Sequence, residues 1–139
     1  MPGADQGHAE SALHYAAWSG DLDEVRALIA AGADVNWIDS SAETALFGAA
    51  AWGHTQIVRC LLTAGARHDL CERGGLTPLH YAASHGNLAT IEALVSAGAD
   101  TAAADGNGRL PIDVAHAHGK GAHVAYLKTV GPATASRRS

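Results

Sequence analysis

The chain has 139 residues, enough for one domain, and its 47% hydrophobic content is that of a folded chain rather than a disordered one. A net charge of -5 argues against nucleic-acid binding, which needs a basic surface to displace counterions, and no stretch approaches the roughly 20 apolar residues that span a bilayer. Only 5% of residues are aromatic and much of the apolar content is alanine, so thin helices in close approach are expected instead of a bulky central core.

Residues 1–7 show no basic stretch followed by an apolar run, so no leader peptide is expected there, and the segment reads as a flexible tail. Beyond it the sequence repeats itself. Segments beginning Ser11-Ala12-Leu13-His14, Thr44-Ala45-Leu46-Phe47, Thr77-Pro78-Leu79-His80 and Leu110-Pro111-Ile112-Asp113 start 33 residues apart. The same step relates Ala16, Ala49, Ala82 and Ala115, then Gly20, Gly53, Gly86 and Gly119, then Leu28, Leu61, Leu94 and Leu127. One repeat domain over 8–132 is expected, with repeats at about 8–39, 40–72, 73–105 and 106–132, followed by a flexible tail at 133–139.

Each repeat predicts two helices. The first begins near Ala12, Ala45, Pro78 or Pro111, with Ser11, Thr44 or Thr77 as the capping residue and Pro78 harmless in the first turn. It stops at the recurring glycine of position 20, 53, 86 or 119, which permits the turn. The second carries an apolar stripe, as in Val25, Leu28 and Ile29 or Val58, Leu61 and Leu62. Gly32, Gly65 and Gly98 then stand where a left-handed C-terminal cap is wanted, and Pro132 follows Gly131 at the end of the array. Such a helix pair cannot bury its stripe alone, so stability has to come from neighbouring repeats. Lys128, where earlier repeats have Ile29, Leu62 and Val95, fits an outward-facing end.

The period and the run Thr77-Pro78-Leu79-His80-Tyr81-Ala82-Ala83 resemble the ankyrin repeat over about residues 8–132. The resemblance implies an all-α solenoid of four helix-turn-helix repeats joined by hairpin-like fingers. It also implies a threonine-to-histidine hydrogen bond at the start of each repeat, expected at Ser11 with His14 and Thr77 with His80. Phe47, Leu110 and Asp113 depart from that pattern in the second and fourth repeats.

No phosphate-binding loop, zinc-protease motif or nucleophile elbow occurs, and a solenoid lays equivalent positions in rows on an open surface; no catalytic role and no cofactor are expected. Cys60 and Cys71 lack zinc-site spacing and read as free thiols, Cys60 in an apolar helical run and Cys71 in a loop. Of nine histidines, His116, His118 and His123 cluster near Asp113, which leaves a metal- or ligand-responsive sensor as the alternative function. Against it, His116 and His118 point about 200 degrees apart on one helix.

By the same resemblance, ankyrin domains engage proteins through finger tips and the exposed ends of the first helices. These positions hold Trp18, Trp52, His85 and His118 on the helices and Ile38, Ser40, Glu43, Arg73, Leu76 and Arg109 on the fingers. Trp18 and Trp52 are the expected anchors, because tryptophan is enriched in interface hot spots. Tyr15 and Tyr81 are expected to pack between fingers and helices, with extension of the aromatic row as the other possibility. The expectation is a noncatalytic, monomeric, cytoplasmic module that binds another protein as adaptor or inhibitor, with neither nucleic acid nor membrane as partner.

Overall fold

Residues 2–130, the part of the chain that the computed structural model describes, with side chains from Ala9 onward, contain eight helices and no strand. In chain order they are α1 (Pro2–Ser19), α2 (Leu22–Ala30), α3 (Ala45–Ala51), α4 (Thr55–Thr63), α5 (Pro78–His85), α6 (Leu88–Ser96), α7 (Pro111–Ala117) and α8 (Gly121–Val130). Met1, the Gly131-Pro132 stop and the expected tail at 133–139 lie outside the described residues.

Each odd-numbered helix pairs with the even-numbered helix that follows, and the pairs stack. α1, α3, α5 and α7 form one layer, and α2, α4, α6 and α8 form the other. The repeating apolar positions make the stack: Leu13, Leu46 and Leu79 are buried, as are Ala49, Ala82 and Ala115, then Val25, Val58 and Ile91, then Leu61, Leu94 and Leu127. Fully burying one of the larger aliphatic side chains contributes roughly 1.5–3 kcal/mol, and here the covering surface belongs largely to the neighbouring repeat. Lys128 is exposed on α8, the last helix of its layer.

Gly32, Gly65 and Gly98 take φ angles of 98, 98 and 100 degrees. The residue after each donates its N–H back to Leu28, Leu61 and Leu94, closing the left-handed cap that the sequence predicts. Gly86 has a different reason for being glycine. Its φ of -85 degrees is open to any residue, but a Cβ would run into the Ala50 carbonyl oxygen of the preceding repeat. Close approach, not turn geometry, selects glycine at that position.

The N-terminal ends of the odd helices differ more than the sequence suggests. At α5, Thr77 and His80 form the expected reciprocal cap: His80 Nδ1 accepts from the Thr77 N–H at 3.1 Å, and Thr77 Oγ1 accepts from the His80 N–H at 3.4 Å. At α7, Asp113 replaces the histidine by accepting from the Leu110 N–H at 2.9 Å. At α3, Phe47 supplies no polar atom, and the buried Thr44 hydroxyl makes neither its cap bond nor any other.

Ser11 departs further, because α1 begins at Pro2 and Ser11 lies exposed inside it. The expected Ser11–His14 bond is absent; His14 Nε2 donates instead to the Trp37 carbonyl at 3.2 Å. Nothing between Pro2 and Ser19 breaks a helix, and proline is tolerated in a first turn. The backbone of residues 2–7, expected as a tail, is thus helical and continuous with α1.

Candidate protein-interaction surface

Between one helix pair and the next, the chain makes a tight hairpin finger. Asp39, Glu72 and Asp105, which recur every 33 residues, organise the three fingers identically. Asp39 accepts from the Ser41 and Glu43 N–H groups, Glu72 from those of Gly74 and Leu76, and Asp105 from those of Asn107 and Arg109. A short acidic side chain folded back on its own turn fixes the loop and leaves the intervening side chains outward. Neighbouring fingers are then joined, Arg73 N–H to the Ser41 carbonyl at 3.3 Å and Gly106 N–H to the Gly74 carbonyl at 2.8 Å.

Along the odd-helix layer an aromatic row crosses all four repeats. Tyr15 and Trp18 project from α1 with ring centres 6.1 Å apart. Trp18 meets Trp52, at the end of α3, edge to face at 5.8 Å. Trp52 and His85 line one shallow hollow together with Ala51 and Tyr81, and His85 lies 5.0 Å from His118 at the end of α7. Trp18 and Trp52 are 51% and 59% exposed, far beyond what packing alone would leave on the largest side chain.

The tyrosines divide. Tyr15 is 68% exposed and belongs to the row, contrary to the expectation that it packs inward. Tyr81 does pack, edge to face on Phe47, and its hydroxyl reaches both Glu43 at 3.0 Å and Glu72 at 3.2 Å. Burial and those two carboxylates push the Tyr81 hydroxyl well above its ordinary range. Burial, with the nearby charges of Asp39 and Glu72, also raises the Glu43 carboxyl, against the lowering effect of the Tyr81 hydrogen bond.

The finger positions are less alike than their sequence spacing implies. Ile38 and Ser40 are exposed on the first finger, and the Ser40 carbonyl accepts from Arg73 Nε at 2.7 Å. Leu76 is half-buried in a hollow with Tyr81, His85, Arg109 and His118. Arg109 is tied to Asp105 by its Nε at 3.0 Å. Sequence reasoning missed this neutralised pair and the acidic pair of Glu43 with Glu72; the recurrence of an acid at 39, 72 and 105 was the signal available.

Among the described residues no three histidine, cysteine, aspartate or glutamate side chains gather as a metal site would require. His116 is exposed, His118 Nδ1 donates to the Val114 carbonyl, and His123 Nδ1 donates to the Ala83 carbonyl. The hollows along this layer are shallow and open, and no described helix is long and apolar enough to cross a membrane.

Curated proteins offer no match to this sequence. A family model described as ankyrin repeats in three copies matches residues 13–105 and again 60–131, in step with the stacked helix pairs and fingers. The chain belongs to the ankyrin-repeat family.

Proposed function

We propose that this array is a noncatalytic module that grips a partner protein along the odd-helix layer and the fingers, acting as an adaptor or as an inhibitor that masks its partner. Ankyrin repeats in general mediate protein–protein interaction. The observation that carries the reading for this chain is the Trp18–Trp52 pair, two large apolar rings exposed side by side on rigid helix ends. Rigid aromatic anchors lose little conformational freedom on binding and dominate interface energetics.

The proposed contact strip is Trp18, Trp52, His85 and His118, flanked by Ile38, Ser40, Glu43, Arg73, Leu76 and Arg109. The free thiols of Cys60 and Cys71 suit a reducing compartment, and we place the module in the cytoplasm as a monomer. Affinity capture from source cells with the parent protein and with the Trp18→Ala, Trp52→Ala double variant, compared by mass spectrometry, tests this. The partners should be lost with the double variant. Equal capture by a folded double variant would remove these helix ends from the site.

A further inference from the structure

We propose that the notch between α1 and α3 is a receptor for an arginine side chain presented by the partner protein. This rests on the interaction reading above and adds the chemistry that the partner must supply.

The notch exists because of one small residue. Tyr15, Gly48, Tyr81 and Val114 occupy equivalent positions, and only the second repeat has no side chain there. A Cβ on Gly48 would come within 3.3 Å of both Cα and Cβ of Trp18. The space left open is about 300 Å³, lined by Tyr15, Trp18, Asp39, Glu43 and Thr44 beside Gly48. Its lining combines aromatic groups with acidic acceptors, and His14 is also part of it.

The acceptors lack the cation that the same place in another finger has. Glu43 and Arg109 stand at equivalent positions. In the third finger Arg109 Nε sits 3.0 Å from Asp105 Oδ2, whereas the first finger places Glu43 where that guanidinium would be, beside Asp39. Among the described residues the groups acting on Glu43 are Tyr81, Asp39, Glu72 and His14, and the His14 Nδ1 is a longer 3.5 Å from Asp39 Oδ2, while the Nε of Arg73 on the next finger is engaged on the Ser40 carbonyl. Glu43 spends one oxygen on the Tyr81 hydroxyl.

A second and independent observation is the Thr44 hydroxyl. Thr44 is 2% exposed, lines the notch, and its Oγ1 has no hydrogen-bond partner within the chain. A buried hydroxyl without a partner is disfavoured by about 1–3 kcal/mol, and Thr44 lies in the wall of the notch with its Oγ1 closed off from solvent. Two carboxylates and exposed aromatic rings together suit a planar guanidinium, which has five N–H donors and a face that stacks. An ammonium would use the carboxylates but not the rings' flat faces to the same effect.

Selection of a random peptide display library on the intact protein, followed by affinity measurement of the enriched peptides, tests the proposal. Enriched peptides should contain an arginine whose replacement by citrulline, the neutral isostere, weakens binding about tenfold or more. That penalty should largely vanish in Glu43→Gln, which keeps a hydrogen-bond partner for Tyr81, and in Glu43→Arg, which closes the notch from within as Arg109 does on Asp105. Both variants are checked for a retained cooperative melting transition. Peptides that depend on Trp18 yet ignore the citrulline exchange would overturn the arginine receptor and leave the interaction surface standing. Absence of any peptide sensitive to Trp18→Ala would remove both.

Discussion

His80 Nε2 donates to the backbone carbonyl of Arg109 at 2.9 Å, so the first helix of the third repeat holds the finger that leads into the fourth. The opposite ring nitrogen accepts from the Thr77 N–H, which assigns the proton to Nε2. The histidine is fully buried, and His80→Ala strands the Thr77 N–H and the Arg109 carbonyl together. A loss of about 2–4 kcal/mol is expected in urea denaturation, combining unsatisfied groups with a cavity. A variant within about 0.5 kcal/mol of the parent would mean that the ring is not holding the finger.

Thr44 and Thr77 occupy the same repeat position and should respond oppositely to the same change. Thr77→Val removes a hydroxyl that caps α5 and contacts His80, and should destabilise by about 1–2 kcal/mol. Thr44→Val removes a buried hydroxyl with no partner, and should be neutral or stabilising by up to about 1 kcal/mol. Chemical denaturation of the two variants side by side decides it; equal losses would show that Thr44 is satisfied after all.

Gly86→Ala should be among the most damaging single-methyl additions. The new Cβ meets the Ala50 carbonyl and also Ala82 Cα at 2.9 Å, both backbone atoms that cannot swing aside. Forcing the second and third repeats apart is expected to cost about 1–3 kcal/mol. A melting temperature equal to that of the parent would contradict the close approach described between them.

Two carboxylates should pull the pH dependence of stability in opposite senses. Asp105 is held below its ordinary 3.8, first by the Arg109 N–H and then by the Asn107 N–H and the Arg109 guanidinium, against burial. Its stabilisation is therefore present above pH 3.8 and is lost as pH falls through the lower folded value. Glu43 is raised above 4.5 by burial, so its ionisation disfavours the fold: stability declines as pH climbs from 4.5 through the raised value. Asp105→Asn should be weaker than the parent at neutral pH and converge on it in acid. Glu43→Gln should gain most at neutral pH and nothing below 4.5. Urea midpoints measured across this range read both slopes, and a Glu43→Gln difference independent of pH would refute the sign.

Trp18 and Trp52 are coupled by their edge-to-face contact, and a double-mutant cycle on stability should give about 0.5–1.5 kcal/mol of coupling. A coupling of zero would mean that the rings do not hold one another ready for a partner.

Much of the architecture was legible from recurrence. The step of 33 residues located every helix pair and the capping glycines, because each repeat has to present the same apolar positions to the next. What recurrence could not convey was which recurring position serves which purpose. Gly86 follows the glycine pattern of Gly20 and Gly53 yet is required by the Ala50 carbonyl, an atom far away in sequence. Ser11 matches the capping position of Thr77 yet lies inside a helix that starts earlier.

By itself the sequence determined the periodic stack, since a fixed register of small and apolar residues leaves helix pairs no other way to bury their stripes. Only the tertiary structure decided which polar groups found partners. Phe47 against His80, Gly48 against Tyr81 and Glu43 against Arg109 are one-residue differences whose meaning depends on the neighbouring repeat. Hydrogen bonds and cavities form between modules, so their completion depends on distances that no single module encodes.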